Sequence, residues 1–449
     1  MAKDAATEAA LDLGAAEQGR RIGAGKLCPV ALAEAYLDRI AGHAEAGRIY
    51  VRTTPERAKA EAEAARARAM GGRRLAPLDG VALSWKDLVD TAGTPTEGGS
   101  RLLEGRTPQR DAEVLRRASA AGTVCLGKTH LSELAFSGLG INPMAATSPN
   151  PHGEGLAPGG SSSGAAASLS FGLAAGAIGS DTGGSVRIPA AWHGLVGLKT
   201  TKGLLPDDGT LPLVPALDTI GPLARTVEDA ALMLGVLEGK AAASPRPMPL
   251  AGRHFIVETG TFLADLDEPV ARAFEDALSR LSAEGARITE RVLPAAAHGL
   301  EAAWIVGVEA WATWGDTIEA HPGAMYPMIR ARFETGLGHD AVRYARAKAA
   351  LERTRGAWLA ETAEADAVLA PTTAGTAPGV ALLEGDDQAY VAANLRALRN
   401  TRIGNMLGIA ALTLPTATPM AGLMLMGPPL SESRLLALGA AVEPLIAVR

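Results

Sequence analysis

The sequence predicts an α/β fold, a β-sheet layered by helices, built as one large domain. Three observations carry this expectation. Strand-like and helix-like segments alternate from about residue 29 to residue 238. Strand signals return at 367–370 and 411–414, on the far side of a helix-rich middle. The chain has 449 residues, with 47% hydrophobic and 20% charged side chains, which suffices for a large core under a soluble surface.

Taken in order, Pro29 to Ile40 places Leu32, Tyr36 and Ile40 on one helical face. Thr54-Pro55-Glu56 supplies an N-cap and a proline at N1 for a helix that runs to Met70 and stops at Gly71-Gly72. Val81 to Trp85 is a short strand with Lys86 at its end. Asp111 to Ala121 is a helix stopped by Gly122. Thr123 to Leu126 is a buried strand, with the next helix expected near Thr129. Ser162 to Phe171 is small and Ala-rich, which suits a tightly packed buried helix. Ala177 to Ser180 is a strand, Asp181 to Ser185 a loop, Ala190 to Gly194 a short turn or helix, and Leu195 to Lys199 a strand. Thr226-Val227-Glu228-Asp229 opens a helix with acids at its positive end. Gly239 to Arg253, rich in Ala, Pro and Ser, is a surface connection. Glu268 to Glu284 and His339 to Ala360 are helices. Ala367 to Ala370 and Ala411 to Leu414 are strands that rejoin the sheet. Strands on both sides of a helical middle argue for one domain, 1–449, with a helical insertion at about 267–362.

Composition narrows the function. Net charge is −6 and no dense Lys/Arg run occurs, which argues against nucleic acid or an anionic membrane as partner. The two cysteines, Cys28 and Cys125, suit a reduced compartment, and neither lies in a CxxC or a His cluster, so no metal site is expected. Met1 to Arg20 has no apolar h-region, so the expected location is cytoplasmic. Ile403 to Ser431 is uncharged and long enough to span a bilayer. Pro415, Pro419, Pro428 and Pro429 break it, and a buried helix followed by buried strands fits better.

Three stretches carry chemistry. In Asp181-Thr182-Gly183-Gly184-Ser185, two glycines let the backbone approach a substrate carbonyl, and successive N–H groups from Thr182 to Ser185 can hold an oxyanion. Asp181 and Arg187 flank this turn and can brace it as an ion pair. Pro158-Gly159-Gly160-Ser161-Ser162-Ser163-Gly164 precedes an apolar helix, so it is not a free linker. Lys86 follows an apolar strand, and a desolvated lysine can be a neutral base near pH 7. Together they offer a base, a relay hydroxyl and a nucleophile beside free N–H groups, the equipment for acyl transfer without histidine. Two other patterns compete with this reading. Gly122 to Thr129 matches the P-loop pattern GxxxxGK[ST], but a helix precedes it and its variable residues are strand-like. His152 and His193 lie near the serine motifs, but no GxSxG elbow is present for a Ser-His-Asp triad.

The three motifs together resemble the amidase signature family of serine hydrolases. The separations of 75 residues from Lys86 to Ser161 (161 − 86) and 24 from Ser161 to Ser185 (185 − 161) are similar to that family's. Leu134 to Gly138, Asn142-Pro143, Gly194 to Lys199, Asp218 to Pro222, Asn400 to Asn405 and Leu412 to Pro415 are similar too. The resemblance runs from about residue 10 to 440 and is densest over 79–230. It implies a mixed sheet with helices on both faces and a Ser-cisSer-Lys triad. Ser185 would be the acylated nucleophile, Ser161 the proton relay with a cis bond to Gly160, and Lys86 the general base. Thr182, Gly183, Gly184 and Ser185 would form the oxyanion hole, supported by Asp181, Arg187, Gly160 and Ser162. Phe136, Ser137 and Gly138 would line the acyl pocket. The resemblance implies an amidase acting on a small-molecule amide, with no cofactor and with a homodimer as the family-level expectation.

Some positions depart from the family pattern. Trp192-His193 stands where relatives often have an aromatic or Leu then Cys, Thr200 replaces a usual Pro, and Thr416 to Met420 looks short. None touches the triad, but such loops shape the pocket. The alternative function is a glutaminase-like subunit of a tRNA-dependent amidotransferase. That subunit typically has Gln two residues before the Ala that closes the loop segment, and Ile188 stands there in Arg187-Ile188-Pro189-Ala190.

Overall fold

One sheet organises the chain, and in this computed structural model, which describes residues 5–447, it has eleven strands. They are β1 Tyr50–Thr53, β2 Ala82–Lys86, β3 Val124–Thr129, β4 Gly176–Ser180, β5 Val196–Lys199, β6 Ile220–Ala224, β7 His254–Glu258, β8 Arg287–Arg291, β9 Ala367–Pro371, β10 Ala410–Pro415 and β11 Gly422–Gly427. Their spatial order is β1-β3-β2-β4-β6-β5-β10-β11-β9-β7-β8. The pairings of β2 with β3 and β4, and of β7 with β8 and β9, are parallel; the rest are antiparallel, so the sheet is mixed.

Side-chain alternation shows that both faces of the sheet are covered. Leu412, Leu414, Leu423, Leu425, Leu369, Phe255 and Val257 enter one core cluster. Their neighbours Ala411, Met424, Met426, Val368 and Ile256 enter another. Every strand except the edges β1 and β8 is buried throughout, which is why the inner strands read as continuous apolar runs. β8, Arg-Ile-Thr-Glu-Arg, is a charged edge strand, a sequence that discourages pairing with another chain.

The helices follow their local signals closely. Pro55–Met70 starts on a proline and ends at Gly71. Val227–Glu238 opens with a capping box in which Thr226 and Asp229 satisfy each other's backbone N–H, and ends on Gly239 at φ +70°. Ser163–Ser170 is buried along seven of its eight residues, and its small side chains permit close approach: a Cβ on Gly164 would lie 2.5 Å from the Ile49 carbonyl oxygen.

The structure departs from expectation in two places. No helix begins near Thr129; β3 runs through it, because Lys128 is neutralised inside the fold. The segment expected as a helical insertion, about 267–362, contains β8, and its first helix, Glu268–Ala283, packs on β9 and β11. The uninterrupted helical excursion runs from Pro294 to Glu361. Ile403 to Ser431 is the end of a helix followed by β10 and β11, and no helix of the described residues is long and apolar enough to cross a membrane.

Candidate active site

The site begins at the edge where parallel strands end. β2 lies between β3 and β4, parallel to both, so the last residues of all three emerge together. Lys86 ends β2 and Ser180 ends β4. The fully buried Lys86 ammonium donates to Ser161 Oγ at 2.6 Å and to Ser180 Oγ at 2.9 Å. Among the described residues no carboxylate lies within ion-pair distance of it. Burial therefore pulls its pKa down to about 7, and the more distant charges of Asp181 and Asp218 offset this only in part.

Ser161 is placed by a backbone lattice. The Gly159 N–H donates to the Leu139 carbonyl at 3.0 Å, and the Gly160 N–H to the Gly138 carbonyl at 2.8 Å. The Ser161 carbonyl accepts from the Ser132 N–H at 3.1 Å. A Cβ on Gly160 would sit 2.5 Å from the Gly140 nitrogen, so only glycine fits there. The Gly160–Ser161 peptide bond is cis.

Ser185 lies between β4 and the helix Arg187–His193. Its carbonyl accepts from the Ser162 N–H at 3.1 Å, which ties the two serine loops together. Among the described residues, the N–H groups of Thr182, Gly183, Gly184 and Ser185 have no hydrogen-bond partner, and no hydrogen bond joins the Ser161 and Ser185 hydroxyls. Thr182, Gly183 and Ser185 line a pocket with Phe136, Ser137 and Leu398. The loop is fixed from behind: Thr401 Oγ1 donates to the Gly183 carbonyl at 2.7 Å, and Thr182 Oγ1 donates to Asp218. Gly184, at φ +138°, has no room for a side chain, since a Cβ would meet Thr401 Oγ1 at 2.1 Å.

Asp181 and Arg187 form a fully buried ion pair, with Arg187 Nη2 2.9 Å and Nε 3.0 Å from the two carboxylate oxygens. Asn405 completes the unit: its Nδ2 donates to Asp181 Oδ1 at 2.8 Å and its Oδ1 accepts from Arg187 Nη2 at 2.6 Å. Burial alone would raise the Asp181 pKa, but the Arg187 charge and hydrogen bonds overcome it and hold the pKa down to about 2.

Phe136 and Ser137 both line the Ser185 pocket. Gly138 stands one step back, its N–H donating to Asn394 Oδ1 at 2.8 Å and its carbonyl holding Gly160. Ser162 is the residue before the helix Ser163–Ser170. The competing motifs serve the scaffold. Lys128, of the P-loop-like run, is buried within β3, 3.0 Å from Asp87 and bonded to Thr96 Oγ1 at 2.8 Å. His193 is buried, with Nε2 2.9 Å from the Pro158 carbonyl and Nδ1 2.8 Å from Ser170 Oγ. A carbonyl only accepts, so Nε2 carries the proton. Burial lowers the His193 pKa to about 3, so the ring is neutral.

The sequence matches the family model Amidase over residues 31–436. The chain belongs to the amidase family. It is 37% identical over 386 residues to a 2-amino-5-chloromuconic acid deaminase of Comamonas testosteroni, covering 84% of this chain and 83% of that protein. It is 31% identical over 463 residues to a glutamyl-tRNA(Gln) amidotransferase subunit of Chloroflexus aggregans, covering 94% of each. Among solved structures, an amidase crystal structure superposes with a TM-score of 0.88 at 29% identity, covering 97% of this chain and all of the other. The amidase-family chain is thus an amide-hydrolysing enzyme on the α/β fold described above.

Several residues of the site carry no role in the sequence reading. Ser180, Asp218, Thr401 and Asn405 are brought to the serine loops by the sheet and by the helix Asp387–Met406. The stretches 218–222 and 400–405 are similar to the family's, and that is the one signal the sequence offers. Arg402, within that second stretch, and Arg332 also line the pocket; Arg332 looks like an ordinary surface arginine in the sequence.

Proposed function

We propose that this amidase is a serine hydrolase that cleaves a carboxylic amide C–N bond through an acyl-enzyme on Ser185. Neutral Lys86 takes the proton of Ser161, which takes the proton of Ser185. Ser185 Oγ attacks the carbonyl carbon, and the oxyanion is held by the N–H groups of the Thr182–Ser185 loop. The relay then runs backward and protonates the departing ammonia or amine. Water hydrolyses the acyl-enzyme by the same route, releasing the carboxylate. The cycle uses only groups of this chain, and the substrate is a small-molecule amide.

The observation that carries this reading is the buried Lys86, held 2.6 Å from Ser161 with its pKa lowered to about 7, beside four unpartnered N–H groups. A free-standing hydrolase is preferred over a glutaminase-like amidotransferase subunit because Ile188 occupies the position where that subunit typically has Gln. The test is intact mass of the lone chain after a fluorophosphonate probe, with peptide mapping. A single adduct on Ser185 is expected, as is a loss of amide turnover of at least about 10³-fold in Ser185→Ala and Lys86→Ala. Full turnover in either variant would overturn the assignment. Labelling only when a partner subunit is added would favour the amidotransferase reading.

A further inference from the structure

The pocket that holds Ser185 contains two arginines that, among the described residues, have no anionic partner. Arg332 and Arg402 both line it, half-buried, beside Leu213, Val306 and Leu398. Arg402 Nε lies 3.9 Å from where a Cβ on Gly183 would stand, so this side chain rests against the loop that carries Ser185. The Arg332 guanidinium lies over the Phe136 ring, 4.5 Å from its centre. Among the described residues neither guanidinium makes an ion pair or a hydrogen bond, and Arg332 Nε and Arg402 Nη2 are buried without any partner.

Arg74 Nε and Arg434 Nε are also buried without a partner, but neither lines the Ser185 pocket, and other arginines of the fold meet carboxylates. Arg187 pairs with Asp181, Arg57 with Asp111, and Arg68 with Asp79. A desolvated cation without an acceptor is costly. Burial, and then repulsion by Arg332, pulls the Arg402 pKa down to about 9. The acids nearby are already engaged. Glu133 accepts from Ser100 Oγ and the Tyr326 N–H, Asp181 is held by Arg187, and Asp218 accepts from Thr182 and the Leu213 and Val214 N–H groups. The adjoining cleft, of about 660 Å³, has one acid in its lining, Glu301, which is exposed.

We infer that Arg332 and Arg402 form a carboxylate subsite, so that the amide cleaved at Ser185 bears a free carboxylate; the simplest such substrate is the monoamide of a short dicarboxylic acid. The guanidinium fork matches a carboxylate in a bidentate manner, and Leu213, Val306 and Leu398, which line the same pocket, suit a short carbon chain. Water and the amide group would give the second carboxylate and ammonia, so the product is a dicarboxylate. This inference rests on the serine-hydrolase reading for its chemistry but not for its anion site.

The experiment is protection of Ser185 from the fluorophosphonate probe by glutarate or succinate, with butyramide as the neutral control. Dicarboxylate is expected to slow labelling at least tenfold at a concentration where butyramide does nothing. Arg402→Gln and Arg332→Gln should each abolish that protection. Arg402→Lys, which keeps the charge without the fork, should retain part of it and guards against misfolding as the cause. In turnover, glutaramic acid should exceed butyramide in kcat/KM by at least 100-fold, and the ratio should fall below ten in Arg402→Gln. Labelling of Ser185 that dicarboxylates leave untouched would overturn the carboxylate subsite while keeping the hydrolase. If the probe does not label at all, calorimetric titration with glutarate decides. Binding lost in Arg402→Gln upholds the anion site, and no binding by the unaltered chain overturns it.

Discussion

Lys86 shows how one side chain gains its chemistry from its surroundings. An ordinary lysine is charged at neutral pH and cannot accept a proton. Here burial without a paired carboxylate brings the pKa from 10.5 to about 7. In the proposed mechanism Lys86 must be neutral to act, so kcat/KM for amide hydrolysis should rise as pH increases through about 7 and then level off, as a pH–rate profile would reveal. The same shift also acts on stability, as a cost to the fold that fades as pH rises. Between about pH 7 and 10.5 the unfolded chain binds the proton that the native chain has lost, so native stability rises with pH across that window. Replacing the group by an apolar isostere removes the cost of burying its charge. Lys86→Met should therefore gain stability over the unaltered chain, on the order of a few kcal/mol below pH 7, and lose that advantage as pH rises towards 10.5. A gain that did not change with pH, measured by denaturant melts at pH 6 and pH 10, would mean that Lys86 is not the titrating group. Lys199 is the useful contrast. Burial lowers its pKa to about 7 too, but its ammonium donates to the Thr200 and Ile409 carbonyls at 3.0 and 2.7 Å, and it faces no hydroxyl. In the proposed mechanism, a lowered pKa serves catalysis only with a suitable partner.

At the scale of the element, the loop from Thr182 to Ser185 owes its shape to a helix more than 200 residues away. The helix Asp387–Met406 sends Thr401 to the Gly183 carbonyl and Asn394 to the Gly138 N–H. With the Gly183 carbonyl held from behind, its amide plane is fixed before substrate arrives, which is what the proposed oxyanion site requires. Thr401→Ala removes the hold, so kcat should fall about tenfold to 100-fold with KM nearly unchanged, and Thr401→Ser should restore most of it. An equal loss in the serine variant would point to packing of the methyl group and not to the hydrogen bond. This coupling also explains what is legible in the sequence. Elements with local signals are readable: the proline start of Pro55–Met70, the acidic start of Val227–Glu238, the small-residue helix Ser163–Ser170. Those whose identity depends on distant partners are not. β8 is hidden by its charged edge sequence, and the end of β3 by Lys128, which looks like a surface residue until Asp87 meets it. In the site, Ser161, Ser185 and Lys86 stand out through glycine context and spacing. Thr401, Arg402 and Asn405, on one helix, and Arg332, on another, carry no role in the sequence, and only the tertiary fold brings them to the loop.

Across the whole molecule, the buried unit of Asp181, Arg187 and Asn405 joins parts of the chain that the sequence keeps far apart. Asp181 follows β4, Arg187 opens the next helix, Asn405 comes from the helix Asp387–Met406, and Met424 of β11 touches Arg187 Nη1. The excursion from Pro294 to Glu361 leaves the sheet and returns before these C-terminal elements form, so this buried unit helps register the two halves of the sheet against the serine loop. Asp181→Asn would leave the Arg187 charge buried without its counter-ion, which should cost about 3–5 kcal/mol in denaturant melts at neutral pH. The sign of its pH dependence follows from the depressed pKa. The native carboxyl titrates near 2 and the unfolded one near 3.8, so the stabilisation is complete above 3.8 and is lost as pH falls through about 2. The deficit of Asp181→Asn should accordingly be constant from neutral pH down to about 4 and shrink below it. Asp181 also raises the Lys86 pKa through its charge, so any activity that the variant retains should show its rise at a lower pH than that of the unaltered enzyme. An unshifted rise together with an unchanged melt would mean that the buried pair neither ties the halves together nor reaches the base. A lowered melt with a shifted rise would make one ion pair answer for both fold and chemistry.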